Sequence, residues 1–357
     1  MTKILITGGT GFVGTHLVEH ILKNTDWQVV ILDRLDAAGN PNRLSDMLET
    51  TEGIDRSRVK LVWWDLKAEL NEQIQKQLGG PFDYIAHLAA GSHVDRSIED
   101  PMLFFMDNCI GTVNLLNYAR SGGLQLVKPD GYNGKFLYFS TDEVFGPAPF
   151  ESEVGFKEWD RLNPNNPYAA AKAAAEMAVI SFANTYRIPC VITNTMNIFG
   201  ERQNPEKFIP LIINKILSGE KLYIHANKDK TQAGKRHYLH ARNICAATVW
   251  ALEHGKTLDG SANQGRYNVV GEIELDNLSL AKMVAGFVQD YENEHGRGCN
   301  PLEYELVDFH SSRPGHDLRY ALDGAHLSEE GFTYPSSFEE SLKKMIYWTL
   351  DHKEKWL

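Results

Sequence analysis

Short apolar runs separated by amphipathic stretches dominate the first half of the chain. The runs hold five or six residues each with little alternation of polar and apolar positions, which is typical of strands buried on both faces. The predicted strands are KILIT (3–7), QVVIL (28–32), VKLVWW (59–64), YIAHL (84–88), KFLYFS (135–140) and CVITN (190–194). Helical spacing between them predicts helices over 12–23, 71–77, 102–120 and 168–186. This repeated pattern predicts an α/β protein with a doubly wound parallel sheet.

The pattern changes after about residue 195, where the regular alternation fades into mixed elements. One further helix is predicted near the end of the chain by residues at helical spacing, namely Phe338, Leu342, Met345, Ile346 and Thr349. We therefore predict two domains, one over 1–195 that forms the parallel sheet and a smaller mixed α/β domain over 196–357. Segments near 235–255 are expected to return to the first domain.

The composition is that of a globular protein, with 43% hydrophobic and 23% charged residues. The formal net charge of −11 repels phosphate backbones and anionic membranes, and no basic stripe offsets it, so we expect neither nucleic acid nor a membrane as a partner. The cysteines show no metal-ligand spacing, so we expect free thiols and no metal site; they are Cys109, Cys190, Cys245 and Cys299. Because Met1 leads directly into a strand and no run reaches membrane-spanning length, we expect a cytoplasmic protein.

Three glycines follow the first predicted strand in TGGTGFVG, at the spacing GxxGxxG: Gly8, Gly11 and Gly14. Glycines let the backbone approach a pyrophosphate closely, and the N-terminus of the following helix offers it free N–H groups. Asp33 ends the second strand 19 residues after Gly14, where a carboxylate accepts hydrogen bonds from an adenosine ribose. Strand, loop, helix and acid together predict a Rossmann dinucleotide site. Asp33 repels a 2′-phosphate and favours NAD over NADP, although the neighbouring Arg34 could soften that preference.

A tyrosine and a lysine lie four residues apart in NPYAAAKAAAE (166–176), on one face of a predicted helix: Tyr168 and Lys172. An ordinary exposed pair is the default interpretation of such spacing, but the position downstream of a dinucleotide loop favours catalysis. A tyrosine acts as a base at neutral pH only if its pKa falls by roughly 3 units. A lysine ammonium and a nicotinamide cation both favour the phenolate, so we expect a lowered pKa for Tyr168.

With these motifs the chain resembles the extended short-chain dehydrogenase/reductase family over essentially its whole length. The resemblance implies that Thr141 and Tyr168 hold the substrate hydroxyl, that Tyr168 takes its proton, and that Lys172 holds the nicotinamide ribose and lowers the tyrosine pKa. It also implies that Asp65 and Leu66, in WWDL, meet the adenine, and that the C-terminal domain binds a sugar nucleotide. The remaining predicted cofactor contacts are Phe12, Val13, Leu88, Ala89, Ala90 and Ser140.

Two acids, Asp142 and Glu143, stand side by side after the fifth predicted strand, in FSTDEVFG (139–146). A loop or helix-cap role is the default for such a pair, but STDEVFG is similar to the signature of the dTDP-glucose 4,6-dehydratases. That resemblance implies that Asp142 protonates the departing C6 hydroxyl of a hexose and that Glu143 removes the C5 proton. Like charges and apolar neighbours such as Phe139 and Phe145 raise a carboxyl pKa, which keeps one acid protonated.

Three other segments resemble stretches of the same family: SHVDRS (92–97), NPEKFIP (204–210) and RPGHDLRYA (313–321). With these segments the resemblance implies contacts to a nucleotide-sugar substrate from several residues. The predicted substrate contacts are His93, Asn197, Glu206, Lys207, Arg236, Arg313 and Tyr320. Arg236 and Lys207 are the candidates for the diphosphate, since a few placed cations can outweigh a negative surface.

Some positions depart from the family pattern. Gly91 replaces a usual Glu, Ala37 replaces a usual Tyr, and the segment 225–243 is longer than its counterpart. Within that segment and at its end, His237 and Asn243 stand where acids are customary. The sequence therefore leaves open whether the nucleotide is dTDP or UDP, which differ by one methyl group and are separated by a pocket only modestly.

Other functions on the same fold stay open at this stage. A nucleotide-sugar 4-epimerase or a decarboxylase has no use for both acids, and a non-catalytic NAD sensor has no reason to keep Thr141, Tyr168, Lys172 and the acids together. The resemblance also implies a homodimer that pairs through the helices predicted over 102–120 and 168–186. A buried core face is the competing explanation for the apolar residues of those helices.

Overall fold

The computed structural model describes residues 1–36, 39–126, 134–152, 154–260, 264–308 and 317–357. Its strands are β1 (Lys3–Thr7), β2 (Gln28–Asp33), β3 (Val59–Trp63), β4 (Tyr84–His87), β5 (Lys135–Thr141), β6 (Cys190–Thr195), β7 (Asn197–Phe199), β8 (Leu222–Ala226), β9 (Lys235–His240), β10 (Arg266–Val269), β11 (Glu274–Asp276) and β12 (Tyr304–Asp308). The six strands predicted from the apolar runs are all present, within one residue at either end.

The α-helices are α1 (Phe12–Asn24), α2 (Pro41–Thr50), α3 (Glu72–Leu78), α4 (Val94–Glu99), α5 (Pro101–Phe104), α6 (Gly111–Tyr118), α7 (Pro167–Tyr186), α8 (Phe208–Ser218), α9 (Ala241–Glu253), α10 (Asn277–Glu294), α11 (Ala325–Glu329), α12 (Phe338–Asp351) and α13 (Lys353–Trp356). Two 3₁₀ turns occur at Arg56–Arg58 and Asp142–Phe145. Of the described helices, none combines the length and the apolar character needed to cross a membrane.

Seven strands form one parallel sheet in the order β10-β6-β5-β4-β1-β2-β3. The order reverses at β1, and helices cover both faces, so the predicted Rossmann fold is confirmed. Alternate residues of each strand enter the two cores. Ile4 and Ile6 pack on one face with α1 and α9, whereas Leu5 packs on the other face with α6 and α7. Burial on both faces explains why these strands read as continuous apolar runs.

The later elements form two smaller sheets, β11-β9-β7 and β12-β8. Their core lies among α8, α10 and α12, and all five residues predicted at helical spacing near the end of the chain are buried in α12. The strand β10 pairs with β6 and so joins the first sheet, and α9 packs beside α1 on one face of that sheet. The division into domains at residue 195 stays our proposal.

The helix predicted over 102–120 is not uniform. The first stretch, Phe105–Ile110, is π-helical and separates α5 from α6. The second, Ala119–Gly123, follows α6 and leaves helical geometry at Ser121 and Gly122. Within the first stretch the side-chain amide of Asn108 donates to Gly91 O (3.0 Å) and accepts from Gly91 N (2.7 Å). A π-helical turn carries one extra residue per hydrogen-bonded ring, and such turns often occur at functional sites.

Candidate active site

The glycine loop makes a tight cradle at the end of β1. Gly8 has a φ of +72°, and a Cβ at this residue would lie 2.8 Å from the backbone N of Ala89. A Cβ on Gly14 would lie 2.1 Å from Gly8 O, which fixes how closely α1 packs on the loop. No side chain caps the start of α1, so no side-chain cap occupies the N–H groups of its first turn, at Phe12 and Val13. These features fit a bound pyrophosphate.

Asp33 ends β2 beside this cradle. Its Oδ2 accepts hydrogen bonds from the backbone N (3.0 Å) and the Oγ1 (2.7 Å) of Thr10, and its Oδ1 accepts from Leu35 N (3.0 Å). The carboxylate is therefore held in one orientation at the ribose position that the sequence predicts. Arg34 points to other partners: both of its Nη atoms donate to Asp107, at 2.7 and 2.8 Å.

The remaining predicted cofactor residues follow the carboxyl ends of neighbouring parallel strands, where ligands of this fold bind. Asp65 and Leu66 follow β3; Leu88, Ala89 and Ala90 follow β4; Ser140 lies near the end of β5. Thr7 connects the end of β1 to the end of β4, since its Oγ1 lies 2.6 Å from His87 Nδ1 and accepts from Ala89 N at 3.2 Å. The structure thus brings the predicted cofactor residues to one edge of the sheet.

The acid pair occupies the 3₁₀ turn that follows β5. Asp142 is buried, its Oδ1 accepts from Thr141 Oγ1 at 2.9 Å, and its Oδ2 has no hydrogen-bond partner in the described part of the chain. Burial and the neighbouring Glu143 carboxylate raise the pKa of Asp142 to about 7. Burial also raises the pKa of Glu143, whose Oε2 accepts from Asn166 Nδ2 at 3.1 Å and from the Tyr320 hydroxyl at 3.5 Å.

Tyr168 and Lys172 lie on the first two turns of α7, and both are buried. Burial raises the pKa of Tyr168, the charges of Glu143 and Asp142 raise it further, and only a hydrogen bond with Thr141 opposes the rise. The predicted lowering of this pKa includes a nicotinamide cation and stays a prediction, and the charge of Lys172 is not among the causes of the shift here. The reason is that the lysine Nζ donates to Phe139 O at 2.6 Å, and burial lowers the pKa of Lys172 itself to about 7.

The predicted substrate residues fall into two described groups. Arg236 and Tyr320 adjoin the acids: the guanidinium of Arg236 lies 4.6 Å from the Tyr320 ring, donates to the backbone oxygen of Asp317 at 2.5 Å, and lowers the pKa of both Asp142 and Glu143. The second group joins His93, before α4, to the start of α8. Within it, His93 Nε2 lies 3.9 Å from Glu206 Oε2, and burial, together with the charge of Lys207, lowers the pKa of His93.

Two further predicted substrate residues belong to neither group. Asn197 is exposed at the start of β7. Arg313 lies outside the described residues, as does Ala37 among the positions that depart from the family pattern.

Sequence reasoning missed three residues beside the acids. Asn166 caps α7, since its Oδ1 accepts from Ala169 N (2.8 Å), and it also donates to Glu143. Asn165 donates to Asp317 Oδ1 at 2.8 Å, and the charge of Asp317 raises the pKa of Glu143. An asparagine directly before Pro167 is a helix-cap signal that could have identified Asn166, whereas the pairing of Asn165 with Asp317 leaves no local pattern.

A buried ion pair links α7 to the parallel sheet. Glu176, one turn after Lys172, accepts from Asn194 Nδ2 (2.7 Å) and from Arg266 Nη2 (2.8 Å). These contacts attach α7 to β6 and β10. The Glu176 carboxylate also raises the pKa of Lys172, against the effect of burial.

Comparisons with known proteins place this site in a family. The sequence model described as GDP-mannose 4,6 dehydratase matches residues 5–345. The chain belongs to the GDP-mannose 4,6 dehydratase family. It is 34% identical to a dTDP-glucose 4,6-dehydratase of Escherichia coli, over 99% of this chain and 95% of that protein. It is 35% identical to a dTDP-glucose 4,6-dehydratase of Neisseria gonorrhoeae, over 99% of this chain and 97% of that protein.

Solved structures agree with this membership of the GDP-mannose 4,6 dehydratase family. The crystal structure of a dTDP-glucose 4,6-dehydratase from Streptomyces venezuelae, with NAD and TYD bound, matches with a TM-score of 0.80 and 29% identity. The match covers 99% of both chains.

Within the family, the unusual residues of this chain have local explanations. A Cβ on Gly91 would lie 3.0 Å from the Phe104 ring, so a larger side chain requires that ring to shift. His237 Nδ1 lies 2.9 Å from Gly271 O, and Asn243 Nδ2 donates to Ser336 O at 2.8 Å. Both side chains therefore serve contacts inside the protein.

Proposed function

We propose that this chain is an NAD-dependent nucleoside-diphosphate-hexose 4,6-dehydratase that converts dTDP-glucose or UDP-glucose to the 4-keto-6-deoxy sugar. The observation that carries the proposal is the acid pair: Asp142, with a pKa raised to about 7, lies beside Glu143 and next to the Thr141–Tyr168 hydrogen bond. The names of the relatives favour dTDP-glucose among the substrates. An epimerase or a decarboxylase has no role for two such acids.

In the first step the protein must take a proton from the C4 hydroxyl of the hexose. Thr141 and Tyr168 hydrogen-bond each other and form the pair that would hold this hydroxyl, with Tyr168 as the base. NAD, when bound, would supply hydride-transfer chemistry at C4 and C6 of the hexose. Its nicotinamide cation would oppose the burial effect that raises the Tyr168 pKa. The glycine cradle, the start of α1 and Asp33 are the groups that would hold NAD.

In the second step the acid pair removes water. The new C4 ketone acidifies the C5 proton, which Glu143 accepts as the carboxylate, while Asp142 gives its proton to the departing C6 oxygen. One water leaves, and a C5–C6 double bond forms; Glu143 would return its proton to C5 when C6 accepts the hydride. Asn166 and Tyr320 orient Glu143, and Arg236 favours the ionised form of that base.

The proposed substrate contacts include the two groups described above. Arg236 lies on the acid side and Lys207 precedes α8, so each offers a cation to the diphosphate. His93, Glu206, Asn197, Tyr320 and Arg313 complete the proposed set. The base specificity stays between thymine and uracil.

We also propose that the chain forms a homodimer in the cytoplasm. The four cysteines are free, which fits a reducing compartment. Apolar side chains that are more than a third exposed on the segment 101–110 and on the neighbouring α7 include Met102, Leu103, Phe105, Met106, Ile110 and Met177. We define these residues as the apolar face; its extent fits a contact with a second copy.

Mass spectrometry tests the proposed function. The purified protein is incubated with NAD and, separately, with dTDP-glucose, UDP-glucose, UDP-N-acetylglucosamine, GDP-mannose and CDP-glucose. Loss of one water from dTDP-glucose or UDP-glucose is the expected result. An isomer of unchanged mass, detected by chromatography, would instead identify an epimerase.

A further inference from the structure

The residue beside Asp33 is an arginine that donates three hydrogen bonds to two acids. Arg34 Nη1 and Nη2 donate to the two carboxylate oxygens of Asp107, at 2.7 and 2.8 Å, and Arg34 Nε donates to Asp36 Oδ2 at 2.6 Å. This is the two-pronged geometry in which an arginine also binds a phosphate. The guanidinium fork is thus occupied at the adenosine end of the cofactor site.

Asp107 is placed for this contact by the π-helical stretch Phe105–Ile110. Its side chain is only 6% exposed, while that of Arg34 is 30% exposed. The next residue, Asn108, is held by two hydrogen bonds to the backbone of Gly91, so the position of the stretch is fixed from both sides. Asp107 is therefore the buried, fixed member of the pair, and Arg34 is the more accessible one.

The same pair lies where NAD and NADP differ. In Rossmann proteins an acid at the end of the second strand binds the adenosine ribose hydroxyls, and a nearby arginine accommodates the 2′-phosphate of NADP. Here Asp33 supplies the acid, and Arg34, the next residue, is the arginine in reach. A 2′-phosphate that takes the two-pronged contact with both Nη atoms of Arg34 must displace Asp107, and it would then face Asp33 and Asp36 as well.

We propose that Asp107 is a specificity-determining residue that makes the cofactor site reject NADP, because it occupies the guanidinium fork of Arg34. The proposal rests on the proposed function, in which the cofactor is a nicotinamide dinucleotide. Other nearby groups do not replace Asp107 in this role. Asp65 Oδ2 lies 3.9 Å from Arg34 Nη1, beyond hydrogen-bond length, and it is 3.4 Å from Lys67 Nζ.

Nucleotide competition on the whole protein tests the proposal without any turnover. Purified protein is equilibrated with equal concentrations of NAD and NADP and separated from free nucleotide, and the bound nucleotides are quantified by mass spectrometry. Asp107→Ala should raise the bound NADP:NAD ratio by about 10-fold or more, the gain of one charge-assisted hydrogen bond. In Asp107→Ala/Arg34→Gln the ratio should return to the wild-type value. This double variant shows whether the gain in NADP binding comes from Arg34 or from Lys67, whose Nζ lies 3.7 Å from Asp107 Oδ1.

Two further variants make the result decisive. Glu292→Ala removes a similarly buried carboxylate that also bonds an arginine, Arg297, and that is remote from the cofactor loop in sequence; it should leave the ratio unchanged. Arg34→Gln alone should also leave the ratio unchanged, because the fork is already occupied; this variant tests the proposal even if Asp107→Ala does not fold.

Two outcomes would overturn the proposal. The first is an unchanged ratio in folded Asp107→Ala that still binds NAD. The second is a lower ratio in Arg34→Gln, because it would mean that Arg34 already contacts the 2′-phosphate. Wild-type protein that retains neither nucleotide would contradict the proposed function, and the role of Asp107 with it.

Discussion

The Asp142 carboxyl is buried against a second carboxylate, and this arrangement makes the folded state less stable at higher pH. Its pKa rises from an ordinary 3.8 to about 7, so above pH 4 the unfolded chain releases a proton that the folded chain retains. The contribution to stability is favourable below pH 4 and is lost as pH rises through 7, on the order of 2–4 kcal/mol. Asp142→Asn should therefore increase the free energy of unfolding more at pH 8 than at pH 5.

Urea unfolding of both proteins at the two pH values measures this effect. Glu69→Gln, a change at an exposed acid, is the control and should alter stability equally little at both pH values. A variant Asp142→Asn that is stabilised equally at pH 5 and pH 8 would show that the carboxyl titrates normally.

The same proton determines how the elimination step depends on pH. In the proposed mechanism Asp142 is the acid, so its active form is lost above about pH 7, and the rate of water loss should fall about tenfold per further pH unit. Quenched single-turnover reactions followed by mass spectrometry give this rate from pH 5 to 9. Asp142→Asn should lower it by about 10²–10⁴-fold while reduced nicotinamide absorbance builds up. A wild-type rate that rises above pH 7 would argue against Asp142 as the acid.

Among the described tyrosines, only Tyr168 has its hydroxyl next to Thr141 and close to the carboxylates of Asp142 and Glu143. Tyr168→Phe should slow C4 oxidation by on the order of 10²–10⁴-fold, because no base remains for the C4 hydroxyl, while NAD stays bound. Stopped-flow absorbance of reduced nicotinamide measures the oxidation, and mass spectrometry measures the bound cofactor. Tyr186→Phe, at an exposed position on the same helix α7, is the matched control and should oxidise substrate normally. Normal oxidation in Tyr168→Phe would exclude the phenolate.

At the scale of elements, the contact between α1 and the glycine loop depends on an absent side chain. A Cβ on Gly14 would meet Gly8 O at 2.1 Å and Gly9 Cα at 2.7 Å, and both are backbone atoms that cannot move aside cheaply. Gly14→Ala should lower the free energy of unfolding by about 1–3 kcal/mol and abolish NAD binding. Gly286→Ala is the control within α10, where nothing lies within 4 Å of the added Cβ; it should stabilise the protein by up to about 1 kcal/mol. Urea unfolding and nucleotide binding measure both effects.

The elements that could be predicted from the sequence are those with a local cause. Strands buried on both faces give continuous apolar runs, and α7 begins at a proline after an asparagine cap. The π-helical turn at Phe105–Ile110 could not be predicted, because the clamp of Asn108 on Gly91 is a tertiary contact that leaves the apolar spacing unchanged. The Arg34–Asp107 pair could not be predicted either, because its two residues are far apart in the sequence.

The predicted site shows the same limit. Motifs located Asp142, Glu143, Tyr168 and Lys172, since each lies next to a strand end or a helix start with a recognisable pattern. Motifs could not give the direction of the Tyr168 pKa shift. That direction depends on how deeply α7 is buried and on the acid charges beside it, and both are properties of the packed molecule.

At the scale of the whole molecule, the net charge of −11 and the proposed anionic substrate and cofactor are compatible because cations are placed locally. The carboxyl ends of the seven parallel strands carry the cofactor cradle and the acids, while β9 brings Arg236 to the same acids from a second sheet. The proposed reaction therefore requires that both sheets contribute to one site.

The apolar face leads to a prediction about assembly. Met102 is 69% exposed and Met177 is 46% exposed, although both belong to helical segments that pack together beside the sheet. A stable contact between two chains buries about 800 Å² per partner, with apolar residues at its centre, and these exposed side chains are of that apolar kind.

Sedimentation equilibrium of the wild-type protein should therefore give twice the mass of one chain. Met102→Glu/Met177→Glu should give the mass of one chain without unfolding it, because neither side chain is in a core. Val154→Glu, at a position 66% exposed on another part of the surface, should remain a dimer, and a monomeric wild type would contradict the proposed contact.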